Sequence, residues 1–464
     1  MPHTDKLNEL GEKPIGSLLM QYAIPAIVAM VASSVYNIID GVFIGQGVGP
    51  EAIMGLALTA PVMSLTAAFG AMVGVGASTL MSVKLGQKDY ASAKAILGNV
   101  VIMNVVIGLG LGFTLQLFLA PILRFFGASD VTLKPAYDFM TIILAGNVVT
   151  HLYLGLNALL RSTNRPQKAM MATFGTVMWN CLLAPLFIFV LGWGIRGAAC
   201  ATICAQALML LWQIRLFSDK REFIHFERHL LRLDTKIIHE SLLIGLPNCL
   251  INLCACLVTI FVTRGMADYG GDVAVGSYGI CNRLCFLVVM AVIGLNQGMQ
   301  PIAGYNFGAR KYVRLIQVLK LTICFATLIT TTGFLIGTFF ATPCVSVFAK
   351  DAPELIEAAA HGLRIIVMFF PLIGMQIVST AFFQSIGYAG KSIFLSLTRQ
   401  LIFLLPGIIL LPYLFSNGVD GVWYAMPLSD CLASIVSGLL LWREVRKLLH
   451  RDAPSLPEVP MSHP

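Results

Sequence analysis

Charge is what this chain has least of. Lys, Arg, Asp and Glu make up 12% of its 464 residues and 57% are hydrophobic, where an ordinary soluble domain carries about 25% charge. From Pro14 to Ile39 there is no charged side chain at all. That composition excludes a soluble protein. Short segments alternating apolar and polar are also absent, which excludes a membrane β-barrel. No glycine loop ends in Gly-Lys-Ser/Thr, so the chain is not expected to drive anything by its own ATP hydrolysis. No His, Asp, Glu or Ser cluster stands at catalytic spacing, and the sole histidine placed at bilayer depth is His151, so an enzyme is not expected. The 11 cysteines are an odd number, which argues against a disulfide framework. Cys200/Cys204 and Cys281/Cys285 have no histidine or acid at ligand spacing, so no metal site is expected. The first sixteen residues are polar and carry acids, without a small-residue cleavage site, so the first apolar run is expected to serve as its own insertion signal.

What is present is long apolar runs, each of the length that spans a bilayer as a helix. They cover 17–43, 52–82, 95–120, 138–160, 169–191, 194–217, 238–263, 273–304, 315–341, 356–383, 392–415 and 419–442. The fold predicted is therefore an all-α integral membrane protein of twelve transmembrane helices. The net charge of +8 orients it. Of the Lys and Arg residues, 23 fall on the side of the termini, 5 on the other, and Arg283, Arg364 and Arg399 within spans. By the positive-inside rule both termini are expected in the cytoplasm of a plasma (inner) membrane, and no nucleic-acid partner is implied.

The chain also repeats itself. Pro25 matches Pro247, and Gly76, Gly86 and Lys88 match Gly298, Gly308 and Arg310, all at an offset of 222. "RSTNRPQKA" at 161 aligns with "QSIGYAGKS" at 384, and "RGAACATICAQ" at 196 with "DGVWYAMPLSD" at 420. Six spans per copy is an even number, so the copies are parallel repeats about an axis along the membrane normal. The organisation expected is an N-terminal segment 1–16, a six-helix lobe 17–217, a linker 218–237, a second lobe 238–443 and a tail 444–464. The linker alternates apolar and basic residues, as an interfacial helix or a solvated connection would.

Ionisable side chains at bilayer depth are costly and point to function. Here they are Asp40, His151, Arg283, Arg364, Arg399 and Asp430. Arg399 and Asp430 lie on consecutive helices and are expected to pair, as a structural clamp or as part of transport. Asp40 has no basic partner in the spans of its own half. It must be protonated or stand beside a bound cation, or else be bonded to hydroxyls and amides of the bundle. Candidate oxygen and nitrogen neighbours in that half are Tyr36, Asn37, Asn157, Asn180, Thr202 and Gln206, which suit a proton network or a hard cation such as Na+. Met54, Phe69, Met178, Phe286 and Met290 are the adaptable side chains that would wall a substrate cavity.

In "NIIDGVFIG", "LLRSTNRPQKA", "NCLLAPLFIF", "GIRGAACATICAQ", "GLNQGMQPIAGYNFGARKYVR", "FFQSIGYAGKS" and "SLTRQLIFLLP" the chain resembles the multidrug and toxic compound extrusion (MATE) family, in its MepA-like branch. The resemblance implies two six-helix lobes around a V-shaped cavity, and export of cationic amphiphiles driven by H+ or Na+ entry. It matches Asp40 to the family's first-helix acid, and Asn180 and Thr202 to its polar partners. Many relatives carry an acid where this chain has Ala184, which leaves one carboxylate in the N-lobe and favours a proton over Na+. A monomer in contact with membrane lipid is expected, with no cofactor beyond the coupling ion. A flippase of lipids or lipid-linked saccharides is the alternative; it would need a cationic cavity, for which only Arg283, Arg399 and Arg364 are available.

Overall fold

The computed structural model describes residues 9–48, 50–126, 128–227, 233–348 and 352–452, and nearly all of them are helical. The first lobe contains α1 (Ile15–Gly47), α2 (Pro50–Gly86), α3 (Tyr90–Leu117), α4 (Asp130–Ala145 and Asn147–Ser162), α5 (Pro166–Val190) and α6 (Gly194–Phe217). A continuous 74-residue run, Thr235–Gly308, breaks at Gly271, where φ 63° and ψ −158° describe a backbone region open essentially to glycine alone. It therefore forms two spans, α7 (235–270) and α8 (272–308). The second lobe is completed by α9 (Tyr312–Phe339), α10 (Pro353–Ser385), α11 (Ala389–Tyr413) and α12 (Gly418–Asp452). Ten helices among the described residues are long and apolar enough to cross a membrane. Splitting the 74-residue run, and joining the two α4 helices that meet at 55°, gives the twelve spans predicted.

Local chemistry sets the helix starts. Asp89 caps α3 by accepting from the Ser92 amide, and Asp234 caps α7 by accepting from Lys236 and Ile237. The bonds from Ser92, with Lys84 nearby, hold the Asp89 carboxyl below the usual carboxylate range. Pro166 and Pro353 open α5 and α10, where a missing N–H costs nothing.

The repeat is visible in the backbone. Lys88 and Arg310 both take positive φ (60° and 57°), and so do Asn164 and Gly387 (60° and 79°), each pair at the offset read from the sequence. Short helices Leu119–Phe125 and Ala341–Ser346 follow α3 and α9. The bend of α4 at Gly146 has its counterpart in the 3-10 turn Val367–Phe369 of α10.

On α3 the side chains Val106, Leu109, Phe113 and Leu117, each more than 60% exposed, form an apolar stripe that only acyl chains would solvate. The interior side is packed around Val100, Met103, Leu156, Leu159 and Leu160.

Two boundaries differ from the sequence reading. The last helix runs on to Asp452, because Glu444 is buried against Lys391 and Leu448 is fully buried. The linker is not helical over 218–227: residues 218–221 are exposed to solvent, and the chain docks from Glu222 onward. It forms turns docked on the first lobe, with Ile224 buried, Phe223 edge-on to Tyr90, and Glu227 paired to Lys94 at 2.7 Å. Residues 228–232 lie outside the described part.

The lobes meet along a seam built from backbone contact. A Cβ on Gly76 would collide with the Ser241 carbonyl, one on Gly245 with that of Met72, one on Gly86 with that of Tyr305 and one on Gly308 with that of Val83. Gly86–Tyr305 and Gly308–Val83 exchange under the 222-residue offset, and Gly298 against Ala23 mirrors Gly76 against Gly245, as a two-fold related pair of lobes requires. These contacts lie on the half of α1, α2, α7 and α8 nearest the chain termini. At the same end Glu9–Lys13 straps across, with Leu10, Gly11 and Lys13 carbonyls accepting from Asn306 (3.0 Å), Lys311 (3.0 Å) and Arg314 (2.6 Å).

Candidate functional site

The first candidate lies near the far end of α1 from the seam. Asp40 is half-buried, and its Oδ1 has no hydrogen-bond partner among the described residues. No Lys or Arg side chain pairs with it there. The buried Tyr36 hydroxyl, one turn earlier, faces Asp40 and Thr202, but no described partner stands within 3.5 Å in hydrogen-bonding geometry. Across from α1, Asn180 of α5 donates from Nδ2 to the Thr202 hydroxyl at 3.1 Å, and that hydroxyl donates to the Ala198 carbonyl at 3.1 Å. Asn180 Oδ1 is left without a donor. Three buried oxygens in one connected patch thus lack close partners among the described residues, an arrangement that costs free energy unless something supplies positive charge or protons. Directly after Pro185, α5 makes a π-helical turn, Leu186–Val190, which begins six residues beyond Asn180.

Not every residue expected there joins this patch. Asn157 is a correction: its Nδ2 donates to the Ala169 carbonyl (3.1 Å) and Thr173 hydroxyl (3.3 Å), and its Oδ1 accepts from Arg161 (2.8 Å). It braces α4 against α5. Gln206 is a second correction, since its Oε1 accepts from the Thr150 hydroxyl at 2.5 Å, one turn below Thr202. The Asn37 and Met54 side chains lie outside the described residues. Ala184 is fully buried among apolar neighbours and supplies no carboxylate to the patch. His151 is buried with Nε2 at 2.9 Å from the Thr66 carbonyl, a packing role. Arg283 and Arg364 are exposed. Met178 and Phe286 are 50% and 46% exposed, whereas Phe69 packs at the seam beside Met72 and Cys249.

The second candidate is in the other lobe. Arg399 Nε donates to Asp430 Oδ1 at 2.6 Å, so the expected pair forms. It borders a cavity of about 280 Å³ between α7, α8, α10, α11 and α12, whose walls include Val258, Val262, Phe370 and Met426. Arg399 belongs to a π-helical turn, Thr398–Leu404. Such turns insert an extra residue and re-aim the side chains around it. The cavity is the feature that sequence reasoning missed; the signal available was Arg399 and Asp430 falling within spans.

Comparison with known proteins decides the family. The MatE family model matches residues 25–186 and 244–409, one stretch in each lobe. The chain belongs to the MatE family. Among relatives of this MatE chain is the multidrug export protein MepA of Staphylococcus haemolyticus, 26% identical over 97% of this chain and 98% of its own. MepA of Staphylococcus aureus strain MRSA252 is 25% identical over 94% of this chain and 96% of its own. Among solved structures, an outward-facing MATE transporter superposes with TM-score 0.89 at 23% identity, covering 97% of this chain and 99% of that one. A MATE protein in a bent conformation gives 0.90 at 22%, with the same coverage.

For this MatE chain the Arg399–Asp430 pair has a stability consequence. Asp430 is 3% exposed, and losing one partner leaves a buried charge uncompensated. Arg399→Met should destabilise the protein by about 3 kcal/mol, and Arg399→Met/Asp430→Leu should recover most of it. Thermal unfolding in detergent measures both; equal loss in single and double variants would show that the pair is not the cause.

Proposed function

We propose that this MatE chain is a secondary multidrug exporter, which moves cationic and amphiphilic compounds out of the cell in exchange for H+, or for Na+, by alternating access. The observation that carries the coupling role is Asp40, a carboxylate with a partnerless oxygen inside a patch of two further partnerless oxygens. Its relatives of nearly equal length are multidrug export proteins, which supports drug efflux over flipping of lipids. The cationic cavity a flippase needs has little support: Arg283 and Arg364 are exposed, and Arg399 is neutralised by Asp430.

The steps follow from the geometry. With both termini in the cytoplasm of the inner membrane, the glycine seam closes the cytoplasmic side and the lobes part toward the outside. A cation entering from outside reaches Asp40 and is met by Tyr36, Thr202 and Asn180 oxygens. Neutralising Asp40 lets α1 repack near Pro25, which lies inside the helix without a hydrogen bond to donate. Substrate is expelled, the lobes rock, and the cation leaves on the cytoplasmic side. With one carboxylate in the patch we favour the proton, since hard-cation affinity falls with ligand charge. The protein acts as a monomer in this scheme.

Purified protein in vesicles, under an imposed pH gradient or an imposed Na+ gradient, tests the reading. Ethidium counterflow should follow the pH gradient. Flow under the Na+ gradient alone would transfer the coupling to Na+, and flow under neither would reject antiport.

A further inference from the structure

We propose that the C-lobe cavity is a binding subsite for the carboxylate-bearing ring of zwitterionic amphiphiles, with Arg399 taking the carboxylate and Gln400 and Asp430 taking an N–H. The proposal rests on the export reading, since it names a substrate class for the same transporter.

The repeat places this cavity. Between the anchors Pro25/Pro247 and Gly76/Gly298 the offset is 222, so Tyr36 and Asp40 correspond to Val258 and Val262. In the aligned stretches at 196 and 420, Thr202 corresponds to Met426 and Gln206 to Asp430. Val258, Val262 and Met426 all line the C-lobe cavity. It is therefore the counterpart of the Asp40 patch, with each of those three polar groups replaced by an apolar side chain. Charge returns one turn away, where Asp430 replaces Gln206. One lobe keeps the oxygens suited to a small cation. Its twin has an apolar chamber with a charged pair at one wall.

The chemistry of that wall selects the ligand. Arg399 uses only Nε on Asp430; Nη1 and Nη2 have no partner among the described residues, and Arg399 lines the cavity. A guanidinium edge of this kind fits a planar carboxylate with two parallel hydrogen bonds. Beside it Gln400 is 9% exposed, and its Oε1 is a buried acceptor without a donor. The wall thus offers a free donor fork and a free acceptor together. A simple cation would satisfy only the acceptor. A molecule carrying both a carboxylate and an N–H satisfies both, and the pair itself adds no net charge to repel either end. The aromatic and aliphatic walls, Tyr278, Phe370 and Ile373 among them, take the ring. About 280 Å³ is at the small end for a drug-sized ligand, so a ring and its carboxylate enter while the rest stays in the central cleft.

Rhodamine 110, with a free carboxylate on a phenyl ring, and rhodamine 123, its methyl ester, probe the carboxylate contact. Fluorescence anisotropy of the full chain in nanodiscs should give tighter binding of rhodamine 110. In Arg399→Gln/Asp430→Asn, which removes both charges and leaves none unpaired, rhodamine 110 should weaken about tenfold or more and rhodamine 123 less than about threefold. Met426→Trp, which fills the chamber and keeps the pair, should weaken rhodamine 110 to a similar degree. Equal loss of both dyes in the double variant, or an unchanged rhodamine 110 affinity in Met426→Trp, overturns the proposal. Failure of vesicles to export ethidium would reject the export reading instead, and the ratio of the two dyes would still read the pocket.

Discussion

Asp40→Asn should abolish concentrative efflux of ethidium while leaving the protein folded and able to bind dye. The substitution keeps size and hydrogen bonding at the centre of the patch and removes only the ability to take up a proton or a cation. One charge moved through 100 mV supplies about 2.3 kcal/mol, enough for roughly fortyfold accumulation. Without that coupling the dye should equilibrate, so the steady-state ratio falls from tens to one. Efflux from energised cells, with and without an uncoupler, measures it. Normal uncoupler-sensitive efflux by the variant would remove Asp40 from the mechanism, and the orphaned oxygens around it would then need another explanation.

The second large effect is at the seam. Gly76 faces the Ser241 carbonyl and the Gly245 amide so closely that any side chain must push α2 and α7 apart. Overpacking of this kind costs about 1–3 kcal/mol, which raises the population of the parted arrangement about 5- to 150-fold. Cys249 reports it, because it is 7% exposed and clusters with Ala68 and Met72 across the seam. Gly76→Leu should raise maleimide labelling of Cys249, read by peptide mass, at least tenfold and should slow transport. Gly76→Ala should fall between that variant and the parent. Wild-type labelling together with wild-type transport in Gly76→Leu would mean that the seam does not control access.

Much of this organisation is legible in the residues, and the reasons differ by level. Spans are legible because lipid imposes a composition over whole helices. The repeat is legible because backbone conformation constrains particular positions: Lys88 and Arg310 take positive φ as a pair, and Gly76 and Gly298 are both pressed against backbone. The partners of polar side chains are less so. Asn157, Asn180, Thr202 and Gln206 all read as polar groups in one half, yet helix phase and bend decide which of them meet. Asn157 lies beyond the 55° bend of α4 at Gly146, where it meets Arg161 one turn on and the start of α5 at Ala169 and Thr173. Thr202 and Gln206 share a face of α6, but Thr150 claims the latter. The cavity around Arg399 is harder still, since its wall is drawn from five helices and a π-helical turn that no period in the sequence announces.

The strap of residues 9–13 has a kinetic consequence. Its three carbonyls are held by donors from the opposite lobe, so they must be released whenever the lobes part at that end. At about 1 kcal/mol each, the three together slow that opening by roughly a hundredfold. Turnover is sacrificed for tightness: a carrier so fastened rarely gapes when empty.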